Sequence, residues 1–228
     1  MAAETNPAKT FEQRHVPMVL GLAVLVLALA AAAPALPALA PVVRLFHLFF
    51  GVLWIGLLYF FNIVNVPAVK LYDAPTRQHH VTKLMPMALF WFRYAALMTV
   101  VAGFGIYYTN YIATGAMASN AGYTILAGMV MGLIMFVNVW AIIWPMQKRV
   151  IAATKETVEK GTPAPADQPK WARRALLASR FNFILSVPML FMMGAASHGF
   201  MPPVSSISTL VASIAVAGAI VAYLARKK

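Results

Sequence analysis

The sequence contains no cysteine. That absence excludes disulfides, thiolate metal sites, a catalytic thiol and covalent haem attachment through C-x-x-C-H. Acidic residues are nearly as scarce: six Asp and Glu stand against 18 Lys and Arg, and charged residues form only 11% of the chain. A soluble domain carries about a quarter. What replaces charge is hydrocarbon, with 61% of residues apolar and a mean hydropathy of +0.76. The net charge of +12 invites a nucleic-acid reading. In so apolar a chain, basic residues serve instead to anchor loops on one side of a membrane, and no nucleic-acid partner is expected.

The apolar residues come in long runs, and a bilayer core about 30 Å thick needs roughly 20 of them per helix. Six spans are predicted, at 16–38, 43–65, 87–109, 122–145, 176–199 and 205–225. The fold class is therefore all-α, a polytopic membrane bundle with six transmembrane helices and the lipid bilayer as its surroundings. The connections differ sharply in charge. Residues 66–86 carry Lys70, Asp73, Arg77 and Lys83, residues 146–175 carry seven Lys and Arg, and the tail ends Arg226, Lys227, Lys228. Stretches 110–121 and 198–205 have no Lys or Arg, and 34–44 has only Arg44. The positive-inside rule then predicts both termini on the cytoplasmic side of a bacterial inner membrane. The N-terminal tail does not vote, because Lys9 and Arg14 face Glu4 and Glu12. PALPALA looks like a signal-peptide cleavage site, but Pro41 disfavours cutting and the first span is expected to be retained. GTPAPADQP at 161–169 is a break that no helix should cross. A short basic helix, QKRVIAATKETVEK, is expected before it.

Span two opens RLFHLFFGVLWIGLLYFFN, with a histidine in hydrocarbon. On a helix, His47, Gly51, Trp54, Leu58 and Asn62 share a face. Span five runs the opposite way and carries Phe191, Gly194 and His198 in matching order. Two antiparallel helices with a histidine above a glycine gap suit a planar macrocycle clamped between them. Neutral imidazole is a good iron ligand, and bundle cores hold cofactors. The expectation is one haem b near the outer face, with His47 and His198 as its metal ligands. Gly51, Gly194 and Trp54 would shape the slot, and Arg44 would pair with a propionate. Each of these residues also has a plainer role: histidines bond neighbouring helices, glycines pack them, and arginines snorkel to headgroups.

A second constellation lies in the inner half. Asn62, Arg93, Asn138 and Asn182, with Arg180, are polar groups that cost several kcal/mol in lipid unless paired. They read either as a pocket for an anion or heterocycle or as interhelical hydrogen bonds. His79, His80 and His15 read as structural or solvated, since a vicinal pair does not fill a metal site. Methionine-rich MVMGLIMF and PMLFMM suggest copper, but methionine is ordinary membrane packing.

Four blocks follow one another: HLFFGVLWIGLLYFFNIVNVP, ALFWFRYAALMTVVAG, MGLIMFVNVWAIIWPMQKRVI and ARRALLASRFNFILSVPMLFMMGAASH. Together they resemble the membrane domain of the bacterial cytochrome-c-linked urate oxidases, or urate hydroxylases, over a core of residues 43–200. The helices at 16–38 and 205–225 and the cytoplasmic loop 146–175 would flank or interrupt that core within a single domain. The first block alone, H-x6-W-x-G, also resembles membrane protoporphyrinogen oxidases and copper-resistance membrane proteins. The resemblance implies oxidation and hydration of urate to 5-hydroxyisourate, with electrons passed to cytochrome c. It carries roles to His47, to Trp91 and Arg93, to Asn138 and Trp140, and to Ser179, Arg180 and Asn182. Family members carry a C-terminal cytochrome c domain, whereas this sequence ends at Lys228 without C-x-x-C-H. Electrons are therefore expected to reach a separate cytochrome c. The alternatives are a non-catalytic accessory subunit of a respiratory or photosynthetic complex, and a tetrapyrrole oxidase-like protein.

Overall fold

The computed structural model describes residues 7–199 and 202–226. Six helices are long and apolar enough to cross a membrane, and no strand occurs among the described residues. They are α1 (Pro7–Ala32), α2 (Pro37–Val69), α3 (Ala74–Ile112), α4 (Asn120–Lys160), α5 (Gln168–His198) and α6 (Pro203–Arg226). Each predicted span lies within or closely overlaps one of them. Glu4, Lys227 and Lys228 lie outside the described residues.

The elements begin and end where their chemistry requires. Asp73 caps the start of α3, its Oδ1 accepting from the Thr76 amide at 3.2 Å. That bond holds the exposed carboxyl below the ordinary aspartate value. Ser119 caps α4 in the same way, accepting from the Gly122 amide at 3.0 Å. Gly161 closes α4 in the left-handed region at φ 67°, which favours glycine, and the predicted break follows it. The basic segment before the break is not a separate helix. It continues α4 to Lys160 without interruption.

That continuity has a local cause. A proline ring clashes with the carbonyl four residues earlier and removes an amide donor. Pro67, Pro86 and Pro145 each follow, two residues later, a π-helical segment: Phe60–Asn65, His80–Leu84 and Val139–Ile143. The carbonyls that would clash belong to Ile63, Thr82 and Ala141, each inside its π segment. The wider turn makes room for the ring, so the helix continues past the proline without a break.

Helices α2, α3, α4 and α5 form the central bundle. The closest pairings are α2 with α3 and α4 with α5. Helix α1 packs outside α3, and α6 packs outside α4 and α5. At Gly105 of α3 a Cβ would stand 2.7 Å from the Ala30 Cβ, so α1 and α3 touch there only because the position is glycine. Glu12 of α1 reaches Arg93 of α3 in an ion pair. Ser206 of α6 meets Thr124 of α4 at 3.2 Å, and Arg173 donates to the Ala225 carbonyl at 2.8 Å. Large apolar side chains such as Val24, Phe49, Ile63 and Val211 face outward. In water this surface would be untenable; against lipid it is the expected outer coat.

Candidate functional site

Polar contacts between α2 and α5 lie at one end of the bundle, the end with the basic connections. Tyr59 Oη and Ser186 Oγ are 3.0 Å apart, and Asn62 Nδ2 donates to Ser179 Oγ at 2.9 Å. Toward the opposite end the two helices separate. Between them, with α3 and α4 as the back wall, lies a cavity of about 860 Å³. Small-molecule and cofactor sites typically span roughly 300–1,000 Å³.

All six residues predicted to hold a cofactor line this one cavity: Arg44, His47, Gly51 and Trp54 from α2, and Gly194 and His198 from α5. Half-buried His47 is held from the side. Its Nδ1 lies 2.8 Å from the Thr99 carbonyl oxygen. A carbonyl can only accept, so Nδ1 carries the proton and the Nε2 lone pair is left free. Gly103 makes room for this arrangement, since a Cβ there would stand 3.1 Å from His47 Cε1 and 3.2 Å from Nδ1. His198 is exposed at the last turn of α5, with Nδ1 3.2 Å from the Gly194 carbonyl, and its Nε2 is likewise left as acceptor.

The floor and walls explain the remaining letters. A Cβ at Gly194 or Gly132 would meet nothing within 4 Å, and one at Gly51 would meet only Thr99 Cγ2 at 3.8 Å. These glycines border open space rather than a helix contact. Trp54 is 2% exposed, and its Nε1 has no hydrogen-bond partner. A buried donor left unmade costs about 1–3 kcal/mol, which the fold carries at this position. Phe191, expected beneath Gly194, is instead 59% exposed and turned away. The α5 face that lines the cavity carries Met189, Leu190, Met193 and Ser197.

Several lining residues carry no signal on α2 or α5. Thr99, Gly103, Ile106 and Asn110 line it from α3 at helical spacing, with Tyr111 beside them. Asn110 and Tyr111 sit in a fourth π segment, Tyr108–Ile112, the one with no proline behind it. This small-and-polar stripe in an apolar span was the readable clue.

The four residues of the second constellation are brought to the other half but do not line this cavity. Asn138 Nδ2 donates to the Ala178 carbonyl and to Asn182 Oδ1, both at 2.8 Å, and Asn182 Nδ2 donates to the Met135 carbonyl at 3.0 Å. The pair stitches α4 to α5. Asn62 bonds Leu58 and Ser179, with Oδ1 unpartnered. Arg93 is 2% exposed, pairs with Glu12, and lies 3.6 Å from the Trp144 ring centre and 5.2 Å from that of Tyr94. Its Nη1 and the nearby Trp140 Nε1 are buried without partners. No group of three or more potential metal-ligating His, Asp or Glu side chains occurs among the described residues.

Comparison with protein families matches residues 106–228, just over half of the 228-residue chain, to the family described as urate oxidase N-terminal. No curated protein and no solved structure matches the chain.

Proposed function

The chain belongs to the urate oxidase N-terminal family, and on that premise we propose that it is a membrane haem protein that oxidises urate to 5-hydroxyisourate. The oxidation adds water and releases two electrons and two protons. The observation that supports a cofactor is the convergence of Arg44, His47, Gly51, Trp54, Gly194 and His198 on a single cavity.

The residues suit a haem b. His47 and His198 would be its ligands, with Thr99 fixing the tautomer that leaves His47 Nε2 free. The open space at Gly51 and Gly194 would admit a flat ring. The Trp54 ring would wall the slot, and Arg44, exposed at the mouth, would pair with an acidic substituent. Haem would supply one-electron transfer at this end of the bundle. With basic loops cytoplasmic, the cavity faces the outer side of a bacterial inner membrane, where a separate cytochrome c is the acceptor. Arg93, with Asn62, Asn138 and Asn182, would hold the urate anion in the inner half.

One observation favours a second reading, a non-catalytic haem subunit of a larger redox complex. Asn138 and Asn182 are bound to each other and to backbone carbonyls, and Arg93 is closed over by Glu12 and aromatic rings. An optical spectrum of the purified chain tests both. The haem reading expects Soret and α-band changes on reduction, lost in His47→Ala; an unchanged spectrum in both His47→Ala and His198→Ala sinks the ligand pair. Urate-driven haem reduction marks the enzyme, and haem without a urate response marks the subunit.

A further inference from the structure

A second concavity lies on the outer surface of the bundle, separate from the cavity lined by His47 and His198; Asn138, its amide already bonded to α5, stands at its base. It is a shallow groove of about 470 Å³ between α4, α5 and α6. Apart from Asn138 its walls are apolar, with Ile134, Val137 and Ala141 on α4, Leu177 and Phe181 on α5, and Val221 on α6. One cation stands on its rim, Arg174 of α5, exposed and with no hydrogen-bond or ion-pair partner among the described residues. Its neighbours are already engaged. Arg173 donates to the end of α6, and Lys170 pairs with Asp167 at 2.7 Å.

The depth of the groove is set by its surroundings. Trp171 lies one turn before Arg174, with the Arg149 guanidinium 5.8 Å from its ring centre. Tryptophan beside arginine marks headgroup level. From Arg174 the groove runs to Phe181, about 10 Å at 1.5 Å per residue, toward the middle of the bilayer. A free charge at headgroup depth above an apolar channel matches one kind of molecule. We infer that the α4–α5–α6 groove is a binding site for an acidic phospholipid, its phosphate on Arg174 and one acyl chain along the groove.

The lipid has a structural task. Beyond the Thr124–Ser206 and Arg173 contacts, α6 is the most exposed helix, with only Ser206 and Ala217 buried. A chain lying against Val221 fills the seam that α6 leaves open.

The test uses the full chain, exchanged into detergent with equal amounts of phosphatidylglycerol and phosphatidylcholine, with retained lipids counted by native mass spectrometry. The expected result is about a fivefold preference for phosphatidylglycerol, the scale of one interfacial cation on an anionic lipid. Arg174→Gln should bring the two lipids to parity. Ala141→Phe, at an exposed position, should fill the groove and reduce both; Val137→Phe serves the same purpose if that variant does not fold. Lys148→Gln, elsewhere on the basic end, should leave the preference intact. No preference in the wild type, a preference that survives Arg174→Gln, or an equal loss in Lys148→Gln would each overturn the inference.

Discussion

The residue that organises the cavity is His47, and what organises His47 is a backbone carbonyl. Gly103→Ala tests that directly. Its methyl would crowd the imidazole at 3.1 Å, so the ring must give by a few tenths of an ångström and its bond to the Thr99 oxygen is strained. Complete loss of such a supporting bond weakens metal-centre binding roughly 10–100-fold, the upper bound for this strain. Haem titration of the apoprotein should show a weakening within that bound, with helical content by circular dichroism unchanged. Asn138 poses the converse question. Asn138→Leu removes two interhelical bonds and strands the Asn182 Oδ1. If the pair is structural, thermal unfolding in detergent should report about 1–3 kcal/mol lost. Unchanged stability with urate turnover abolished would instead assign the pair to substrate. The histidines and glycines of α2 and α5 were legible because each stripe repeats within one helix. The anchor of His47 was not, because a carbonyl oxygen has no letter of its own and Thr99 reads as packing.

At the scale of elements, the spans were legible from hydrocarbon alone, while their joints were not. A proline in an apolar run signals a kink or an end. Here Pro67, Pro86 and Pro145 are absorbed by π segments, and α4 runs unbroken from Asn120 to Lys160. The attachment of α1 was also hidden. Glu12 looked like half of a neutral tail, yet it answers Arg93 across 81 residues of chain. Glu12→Gln removes the negative charge that faces the buried guanidinium and leaves it an amide oxygen and aromatic rings. Removing one partner of a fully buried pair costs about 3–5 kcal/mol. Glu12 is 43% exposed, so water offsets part of that and about 1–3 kcal/mol is expected. Limited proteolysis should cut between α1 and α2 sooner in the variant than in the wild type.

For the whole molecule, the missing cysteines become an instrument. Any introduced thiol is the only one present, so Ser119→Cys and Lys155→Cys report the sidedness of α4 without background. With basic loops inside, an impermeant maleimide added to intact cells should label position 119 and spare 155. The reverse pattern would invert the bundle and place the cavity on the cytoplasmic face. The uneven join between α2 and α5 has a mechanical meaning as well. His47 lies 15 residues from the Asn62–Ser179 contact, about 22 Å along the helix. A tilt of about 5° at that pivot moves the mouth by about 2 Å, a motion of ordinary collective helix displacements. Such a tilt would open the grip at the tips, as in a pair of tweezers, while the handle stays hydrogen-bonded. On this reading the stiffness of the pivot would set the rate at which a ligand leaves the cavity, with the bundle still folded. Loosening the pivot with Ser179→Ala should shorten the residence time of a bound ligand with little change in the thermal stability of the fold.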